Sequence, residues 1–297
     1  MRLVLTLVAG GLDALQNALP AAMDAVAAAG APVRETCLLG DGAADIFTEG
    51  KGPAALRGHA GRALERQAVD FCVQADEGRR KRLLVADMDS TVIGCECLDE
   101  LADFAGLRAK IAAITARAMA GEIAFEAALR ERVAMLAGLE VTALRRTYDE
   151  RVRLNPGAAV LAGTMTAHGA RCVLVSGGFD FFTGRVAAAA GFAAHRANRL
   201  IDDGVALTGA VADPILGREA KLAALIEEAA ALGLDLSQTL AVGDGANDLA
   251  MIAAAGLGVA FHAQPIVAAQ AAARIDHADL TALLYFQGYG ADEFVMV

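Results

Sequence analysis

The chain has 297 residues, of which 56% are hydrophobic, with a formal net charge of −10. This length suffices for about two domains with a sizeable core, and the negative charge disfavours nucleic acid or an anionic membrane as the main partner. Five scattered cysteines, an odd number, predict a reducing compartment rather than a disulfide framework.

The first 76 residues alternate short strand and helix patterns. Strands are predicted in "RLVLTLVA", "PVRETCLL", "ADIFTEG" and "AVDFCVQ", and helices over 12–29 and 53–66. This βαββαβ order predicts a small α+β domain over residues 1–76, the N-terminal unit, whose helices lie on a mostly antiparallel sheet.

The apolar run at the start of this unit imitates a signal peptide. Gly10, Gly11 and Asp13 cut it short, so we interpret it as a strand. No stretch of the sequence approaches the ~18 uninterrupted apolar residues that a membrane span needs. We therefore expect a soluble, cytoplasmic protein with no membrane partner.

Residues 75–82, "ADEGRRKR", separate the N-terminal unit from the rest of the chain. Four of the last five residues are basic. Because runs of like charge usually face water, we predict a solvated linker, with a binding patch as the alternative.

From Leu83 onward the pattern becomes that of a parallel sheet. The runs "LLVAD", "RCVLVSGG", "TLAVGDG" and "LGVAF" are almost continuously apolar and alternate with Ala-rich helical patterns, as in sheets covered on both faces. About residues 95–155 have almost wholly helical periodicity and predict a cap inserted over the strand ends. "NRLIDDGVALTG" predicts a β-hairpin. Residues 77–297 are therefore expected to form an α/β domain with a Rossmann-like parallel sheet.

Two aspartates, Asp87 and Asp89, follow the first of these strands. Burying charge costs several kcal/mol unless something compensates it, so the pair is expected either to bind a cation or to act as a nucleophile. Ligands bind at the carboxyl edge of open α/β sheets. Further polar residues stand near that predicted edge, namely Ser176 with Gly177, Lys221, and Asp244 with Asn247 and Asp248.

Together these residues predict a site for phosphoryl transfer. Three carboxylates within reach of one another cannot all stay ionised without a cation, and oxygen ligands favour Mg²⁺. Ser176, the N–H group of Gly177 and Lys221 can hold a phosphate dianion. Asp87 can then attack phosphorus to form an aspartyl-phosphate, while Asp89 protonates the leaving oxygen and later activates water.

The order and spacing of these motifs resemble the haloacid dehalogenase (HAD) superfamily of phosphotransferases, and most closely its phosphoserine phosphatase family. The segments that carry the resemblance are "DMDST", "CECLDELA", "AMAGEIAFEAALRERV", "LNPG", "VSGGF" and "VGDGANDLAMI". The resemblance implies a HAD core with a helical cap. It also implies Mg²⁺-dependent hydrolysis of a small-molecule substrate, O-phospho-L-serine, as the last step of L-serine synthesis.

The same resemblance implies a role for each aspartate. Asp87 would be the nucleophile and a metal ligand, and Asp89 the general acid and base, binding Mg²⁺ through its backbone carbonyl. Asp244 would be the third protein ligand, and Asp248 would orient a ligand or the lysine. Asn247 would border the substrate.

The amino-acid end of the substrate needs partners of its own. Glu96 matches the family's ammonium-binding glutamate, and Arg132 matches its carboxylate-binding arginine, whose planar fork suits a bidentate pair. A solvated helix residue is the alternative for Arg132. Met119 and Phe125 match apolar lid residues, with plain core packing as the alternative.

Two other functions stay open on the sequence. One is HAD chemistry on another small phosphomonoester, or phosphoryl transfer to an alcohol such as homoserine. The other is a non-catalytic amino-acid sensor that would use the N-terminal unit, whose element order resembles ACT-like domains. A regulatory serine site, a homodimer interface and a purely stabilising role are the alternatives for that unit.

Overall fold

The computed structural model describes residues 1–119 and 122–296. The strands are β1 (Arg2–Ala9), β2 (Glu35–Gly40), β3 (Ala43–Glu49), β4 (Val69–Ala75), β5 (Leu83–Ala86), β6 (Arg171–Phe179), β7 (Ala194–Asn198), β8 (Leu200–Asp202), β9 (Leu207–Val211), β10 (Thr239–Gly243), β11 (Leu257–Phe261) and β12 (Ala273–Ile275). The helices are α1 (Leu12–Ala28), α2 (Pro53–Leu64), α3 (Cys97–Phe104), α4 (Arg108–Met119), α5 (Phe125–Ala134), α6 (Thr142–Arg151), α7 (Ala158–Ala167), α8 (Asp180–Ala190), α9 (Arg218–Ala231), α10 (Leu249–Ala254), α11 (Pro265–Ala268) and α12 (Ala282–Phe286).

The N-terminal unit has the predicted βαββαβ order. Its strands lie in the order β2-β3-β1-β4 and pair antiparallel. One face of β1 packs on α1 and α2 through an apolar cluster that includes Leu5, Leu7, Leu15 and Leu56. The likeness of this unit to ACT-like domains, and the boundary at residue 76, stay predictions.

One ten-stranded sheet runs through the whole molecule, in the order β2-β3-β1-β4-β12-β11-β10-β5-β6-β7. The strands from β12 to β7 pair in parallel, as their apolar runs predict. Strand β4 joins this parallel part through an antiparallel pairing with β12, where Phe71 lies opposite Arg274. The sequence does not indicate this continuity, because β12 is only three residues long.

The solvated linker predicted for residues 75–82 is wrong for two of its four basic residues, whereas Arg80 and Arg82 are exposed. Arg79 has a side chain only 12% exposed, and it donates to the buried carboxylate of Asp45 at 2.6 Å. Lys81 is buried, and its Nζ donates to the carbonyls of Gly78 and Ser237, each at 2.9 Å. Because the segment joins two units of one sheet, it runs between packed surfaces that supply these partners.

The predicted cap is present as α3 to α6, and the predicted hairpin as β8 and β9. The two chain crossings between cap and core pair with each other, since Ile93 bridges Leu154 and the N–H of Gly94 donates to the Arg153 carbonyl. The hairpin closes on the cap through the Gly138 N–H, which donates to the Leu207 carbonyl at 2.8 Å.

Among the helices in residues 1–119 and 122–296, none combines the length and the apolar character that crossing a bilayer would take.

Candidate active site

Three neighbouring strands carry the predicted site residues to one edge of the sheet. Strand β5 lies between β10 and β6 and runs parallel to both. Asp87 follows β5, Ser176 lies near the carboxyl end of β6, and Asp244 follows β10. The N–H of Asp87 donates to the Val242 carbonyl at 3.0 Å, which ties the loop after β5 to the neighbouring strand β10. The edge is therefore the ligand-binding edge of an open parallel sheet.

Three carboxylates and one ammonium meet at this edge. Oxygens of Asp87, Asp244 and Asp248 lie within 4.8 Å of one another. Lys221, from α9, places its Nζ 2.6 Å from both Asp87 Oδ1 and Asp248 Oδ1. Asp87, Asp248 and Lys221 are buried, and Thr91 Oγ1 donates to Asp244 at 3.1 Å.

The electrostatics of this cluster favour a cation. Burial, and then the charge of Asp248, raises the pKa of Asp87 well above its usual range. The same two causes raise the pKa of Asp244 to about 6. Burial alone would lower the pKa of Lys221, but the two carboxylates beside it raise it. One ammonium cannot balance three carboxylates, so the donor set fits a divalent cation with oxygen ligands.

Asp89 lies in a distorted turn beside this cluster. Its Oδ2 accepts from Ser176 Oγ at 3.1 Å, and its Oδ1 accepts from the Cys97 N–H at 3.0 Å. Burial raises the pKa of Asp89 to about 7, and the negative charge of Glu96 is the second cause. Ser90, in the same turn, has a φ of 57°, a conformation that non-glycine residues adopt at a cost. A carboxyl group with this pKa is suited to exchange protons near neutrality.

Glu96 and Arg132 bring charge from the cap to the same edge. Glu96 precedes α3 and accepts from Ser90 Oγ at 2.7 Å. Arg132, on α5, donates to Thr115 Oγ1 at 3.3 Å. Burial lowers the pKa of Arg132, against the opposing charges of Asp99 and Glu96. The sequence analysis assigned no role to Asp99, although it lies in "CECLDELA", or to Thr115, which lies in none of the quoted segments.

Aromatic cover comes from Phe125, at the start of α5. A Cβ built on Gly177 would lie 3.3 Å from the ring of Phe125, so the ring lies directly over this glycine. A Cβ at Gly178 would lie 2.9 Å from Asp89 Oδ2. A side chain at either glycine would therefore push on the Phe125 ring or on the Asp89 carboxylate. The side chain of Met119, the other expected lid residue, lies outside the described part of the chain.

Asn247 and Asp248 belong to the loop after β10. Asp248 Oδ2 accepts from the Gly245 N–H at 3.0 Å, while its other oxygen meets Lys221. The Asn247 side-chain oxygen turns back over Gly245. Asn247 is half-buried at the edge, and its contact with a substrate stays a prediction.

Comparisons with known proteins agree with this geometry. The sequence profile of the haloacid dehalogenase-like hydrolases matches residues 84–253. A phosphoserine phosphatase from Polaromonas sp. is 45% identical over 208 residues, which cover 68% of this chain and 88% of the relative.

Two solved structures resemble nearly the whole chain. A HAD family hydrolase from Salmonella enterica serovar Typhi has a TM-score of 0.85 at 28% identity, and the match covers 97% of this chain and 98% of the hydrolase chain. A probable phosphoserine phosphatase from Vibrio cholerae, in unliganded form, has a TM-score of 0.76 at 28% identity, and the match covers 98% of this chain and 88% of that phosphatase chain. The similarity therefore includes the N-terminal unit as well as the sheet edge.

Proposed function

Because this chain belongs to the haloacid dehalogenase-like hydrolases and, within them, to the phosphoserine phosphatases, we propose that its sheet-edge site hydrolyses O-phospho-L-serine to L-serine and phosphate. The observation that carries the proposal is the meeting of Asp87, Asp248 and Lys221 in one buried cluster beside Asp89. The reaction supplies L-serine and is the last step of its synthesis.

In the first step, an oxygen of Asp87 attacks phosphorus while the bond from phosphorus to the serine oxygen breaks. Asp89, with its raised pKa, gives its proton to that leaving oxygen. Ser176 Oγ, the N–H of Gly177 and the Lys221 ammonium would hold the phosphoryl oxygens. The products of this step are serine and an aspartyl-phosphate on Asp87.

In the second step, water attacks the same phosphorus and the bond to Asp87 breaks. The Asp89 carboxylate takes a proton from that water and is again the acid for the next cycle. Asp248 would hold the Lys221 ammonium beside Asp87 in both steps. Phosphate leaves, and Asp87 is regenerated.

The metal that fits this cluster is proposed to be Mg²⁺. Its side-chain ligands would be Asp87 and Asp244, with the backbone carbonyl of Asp89 as the third protein ligand. A bound Mg²⁺ ion supplies positive charge against the phosphoryl oxygens and the surplus carboxylates. Thr91 orients Asp244 for this purpose through its 3.1 Å hydrogen bond.

Recognition of the amino-acid end is proposed for Glu96 and Arg132. The Glu96 carboxylate would bind the substrate ammonium, and the Arg132 guanidinium would bind its carboxylate. Glu96 acts electrostatically on Asp89, Asp244 and Arg132, so its charge lies between cap and core. Phe125 would exclude water from the phosphoryl group, and Asn247 would border the substrate.

The test is phosphate release from O-phospho-L-serine, with O-phosphothreonine, phosphosugars and p-nitrophenyl phosphate alongside, each with Mg²⁺ and with EDTA. We expect a metal-dependent preference for phosphoserine of about tenfold or more, since one well-placed interaction is worth that factor. A better substrate elsewhere in the panel, or faster transfer to homoserine than to water, would overturn the substrate assignment. Binding of L-serine without any turnover would instead support the alternative function, a non-catalytic amino-acid sensor.

Compartment and assembly are proposals of the same kind. We place the enzyme in the cytoplasm, where its five free cysteines would stay reduced. A homodimer without nucleic-acid or membrane partners is the proposed assembly, and light scattering on the purified chain tests it.

A further inference from the structure

Asn198 ends β7 and lies in none of the motifs that indicate the site. It is 2% exposed. Its Nδ2 donates to the Gly177 carbonyl at 2.8 Å and to the Leu216 carbonyl at 3.2 Å, and its Oδ1 accepts from the Leu216 N–H at 2.7 Å. The side-chain amide of Asn198 thus bonds to two backbone segments, one at Gly177 and one at Leu216, through both its nitrogen and its oxygen.

The first of these segments leads to the acid–base group. The Gly177 carbonyl belongs to the peptide whose N–H, on Gly178, donates to Ser176 Oγ at 2.8 Å. Ser176 Oγ in turn donates to Asp89 Oδ2 at 3.1 Å. Glycine peptides rotate freely unless something holds them, and Asn198 holds this one. A continuous hydrogen-bonded chain therefore links Asn198 to Asp89.

The second segment leads to the lysine. Leu216 stands two residues before Arg218, where α9 begins, and Lys221 lies in the first turn of that helix. Asn198 accepts from and donates to the Leu216 peptide groups, so it fixes where α9 starts relative to β6. One buried amide thus spans the two elements that present Ser176 and Lys221.

We propose that Asn198 is a positioning residue for the phosphate-binding half of the site. The inference rests on the proposed function for the roles of Ser176, Gly177 and Lys221. An apolar side chain of similar size would fill the space but leave the Gly177 carbonyl and both Leu216 groups without partners, which costs free energy and frees the loop.

The test compares Asn198→Asp and Asn198→Ala with the wild-type chain in the presence of Mg²⁺. The aspartate keeps the shape and still accepts from Leu216, but it places an oxygen against the Gly177 carbonyl. We expect the inhibition constants of inorganic phosphate and orthovanadate to rise about tenfold, since an unpaired buried group costs that factor or more. The inhibition constant of L-serine should stay unchanged, because Glu96 and Arg132 hold that end.

Thr183→Val is the matched control. Thr183 is equally buried, and its hydroxyl contacts His195 on β7 and the carbonyls of Phe179 and Asp180. Within the described residues its side chain has no hydrogen bond to Gly177 or Leu216. Inhibition constants do not depend on how much enzyme is folded, so a purely structural role for Asn198 would lower the melting temperature and leave them unchanged. That result would overturn the inference.

Failure of the proposed function would look different. A wild-type chain that hydrolyses no phosphoserine refutes that function, whatever the variants do. Calorimetric titration of wild type and Asn198→Asp with inorganic phosphate needs no turnover. Equal phosphate affinities there would overturn the inference, and a loss of about tenfold in the variant would support it.

Discussion

Lys221 is the single cation that the described residues place against Asp87 and Asp248, and Asp244 completes a group with too much negative charge. A buried carboxylate in such a group takes up a proton or binds a metal. The raised pKa of Asp244, about 6, expresses the first outcome, because burial and the charge of Asp248 cause it. Burial and the charge of Glu96 raise the pKa of the nearby Asp89 to about 7. The same physical cause makes the site a metal site.

This competition predicts how pH acts on stability. With EDTA, the folded chain holds protons on Asp89 and Asp244 that the unfolded chain has released, so its free energy of unfolding should fall from about pH 5 to about pH 8. Mg²⁺ displaces those protons and should stabilise the protein more at the higher pH. Thermal melts at both pH values, with EDTA and with Mg²⁺, measure both effects.

Asp244→Asn is the control for this prediction. It removes one of the carboxyl groups whose pKa is raised, so its melting temperature should vary less with pH in EDTA. It should also gain less from Mg²⁺. Equal stabilisation of both proteins by Mg²⁺ at the two pH values would contradict the assignment of the ion to this cluster.

At the level of elements, the residues proposed for selectivity lie in the cap and those proposed for chemistry lie in the core. The cap joins the core through the paired crossings at Ile93 and Leu154, and it carries Arg132 on α5. Glu96 lies just after the first crossing and touches Ser90 in the catalytic turn. The proposed recognition of the amino-acid end therefore lies next to the turn that contains Asp89.

Glu96→Gln should separate these two tasks. The amide keeps the size of the side chain but loses the charge that would bind an ammonium, so kcat/KM for phosphoserine should fall about tenfold or more relative to that for p-nitrophenyl phosphate. Glu131→Gln, an exposed change on α5 where Glu131 pairs with Arg117, is the control. An unchanged substrate ranking in Glu96→Gln would contradict the role of Glu96.

Elements with a strong period were predictable from sequence, and those that depend on distant partners were not. The structure confirms the strands predicted from apolar runs, which are β5, β6, β10 and β11, and it confirms the helical cap. They were predictable because each pattern depends only on residues close together in the chain. Strand β12 is short and forms only against β11 and β4. Among site residues, Asp87 and Lys221 were indicated by motifs. Asn198 was not, because it bonds only to backbone groups far along the chain.

At the scale of the whole molecule, the N-terminal unit is built into the catalytic part. Gln74 Nε2 donates to the Phe286 carbonyl at 2.6 Å, and Arg79 donates to Asp45 of the N-terminal unit at 2.6 Å. Helix α12 packs against β1 and β4 as well as against α7. Melting one unit alone would expose these apolar and polar contacts, so we infer that the two unfold together.

Asp70 alone makes three hydrogen bonds that join the N-terminal unit to the rest of the chain. This buried carboxylate on β4 accepts from three successive backbone N–H groups after β12, those of Asp276, His277 and Ala278, at 2.7, 3.1 and 2.7 Å. The same loop continues to Leu280, whose N–H donates to the Pro156 carbonyl.

From there the contacts reach the active site. Asn155, beside Pro156, donates from its Nδ2 to the Thr91 carbonyl at 2.8 Å. Thr91 Oγ1 holds Asp244. Asp70 therefore supports, through one loop, the point at which the cap returns to the core and the threonine that orients a proposed metal ligand.

Asp70→Ala should consequently act on the whole molecule. It leaves three backbone N–H groups at the β4–β12 junction without this acceptor, so the free energy of unfolding should fall by about 3 kcal/mol. The loss should appear as one transition that moves as a unit in urea, followed by both circular dichroism and phosphoserine turnover. Asp24→Ala, at an exposed position of α1, should change neither. If the N-terminal unit were an independent appendage, Asp70→Ala would split the curve, and turnover would persist through the first transition. The three hydrogen bonds across the β4–β12 junction argue for the single transition.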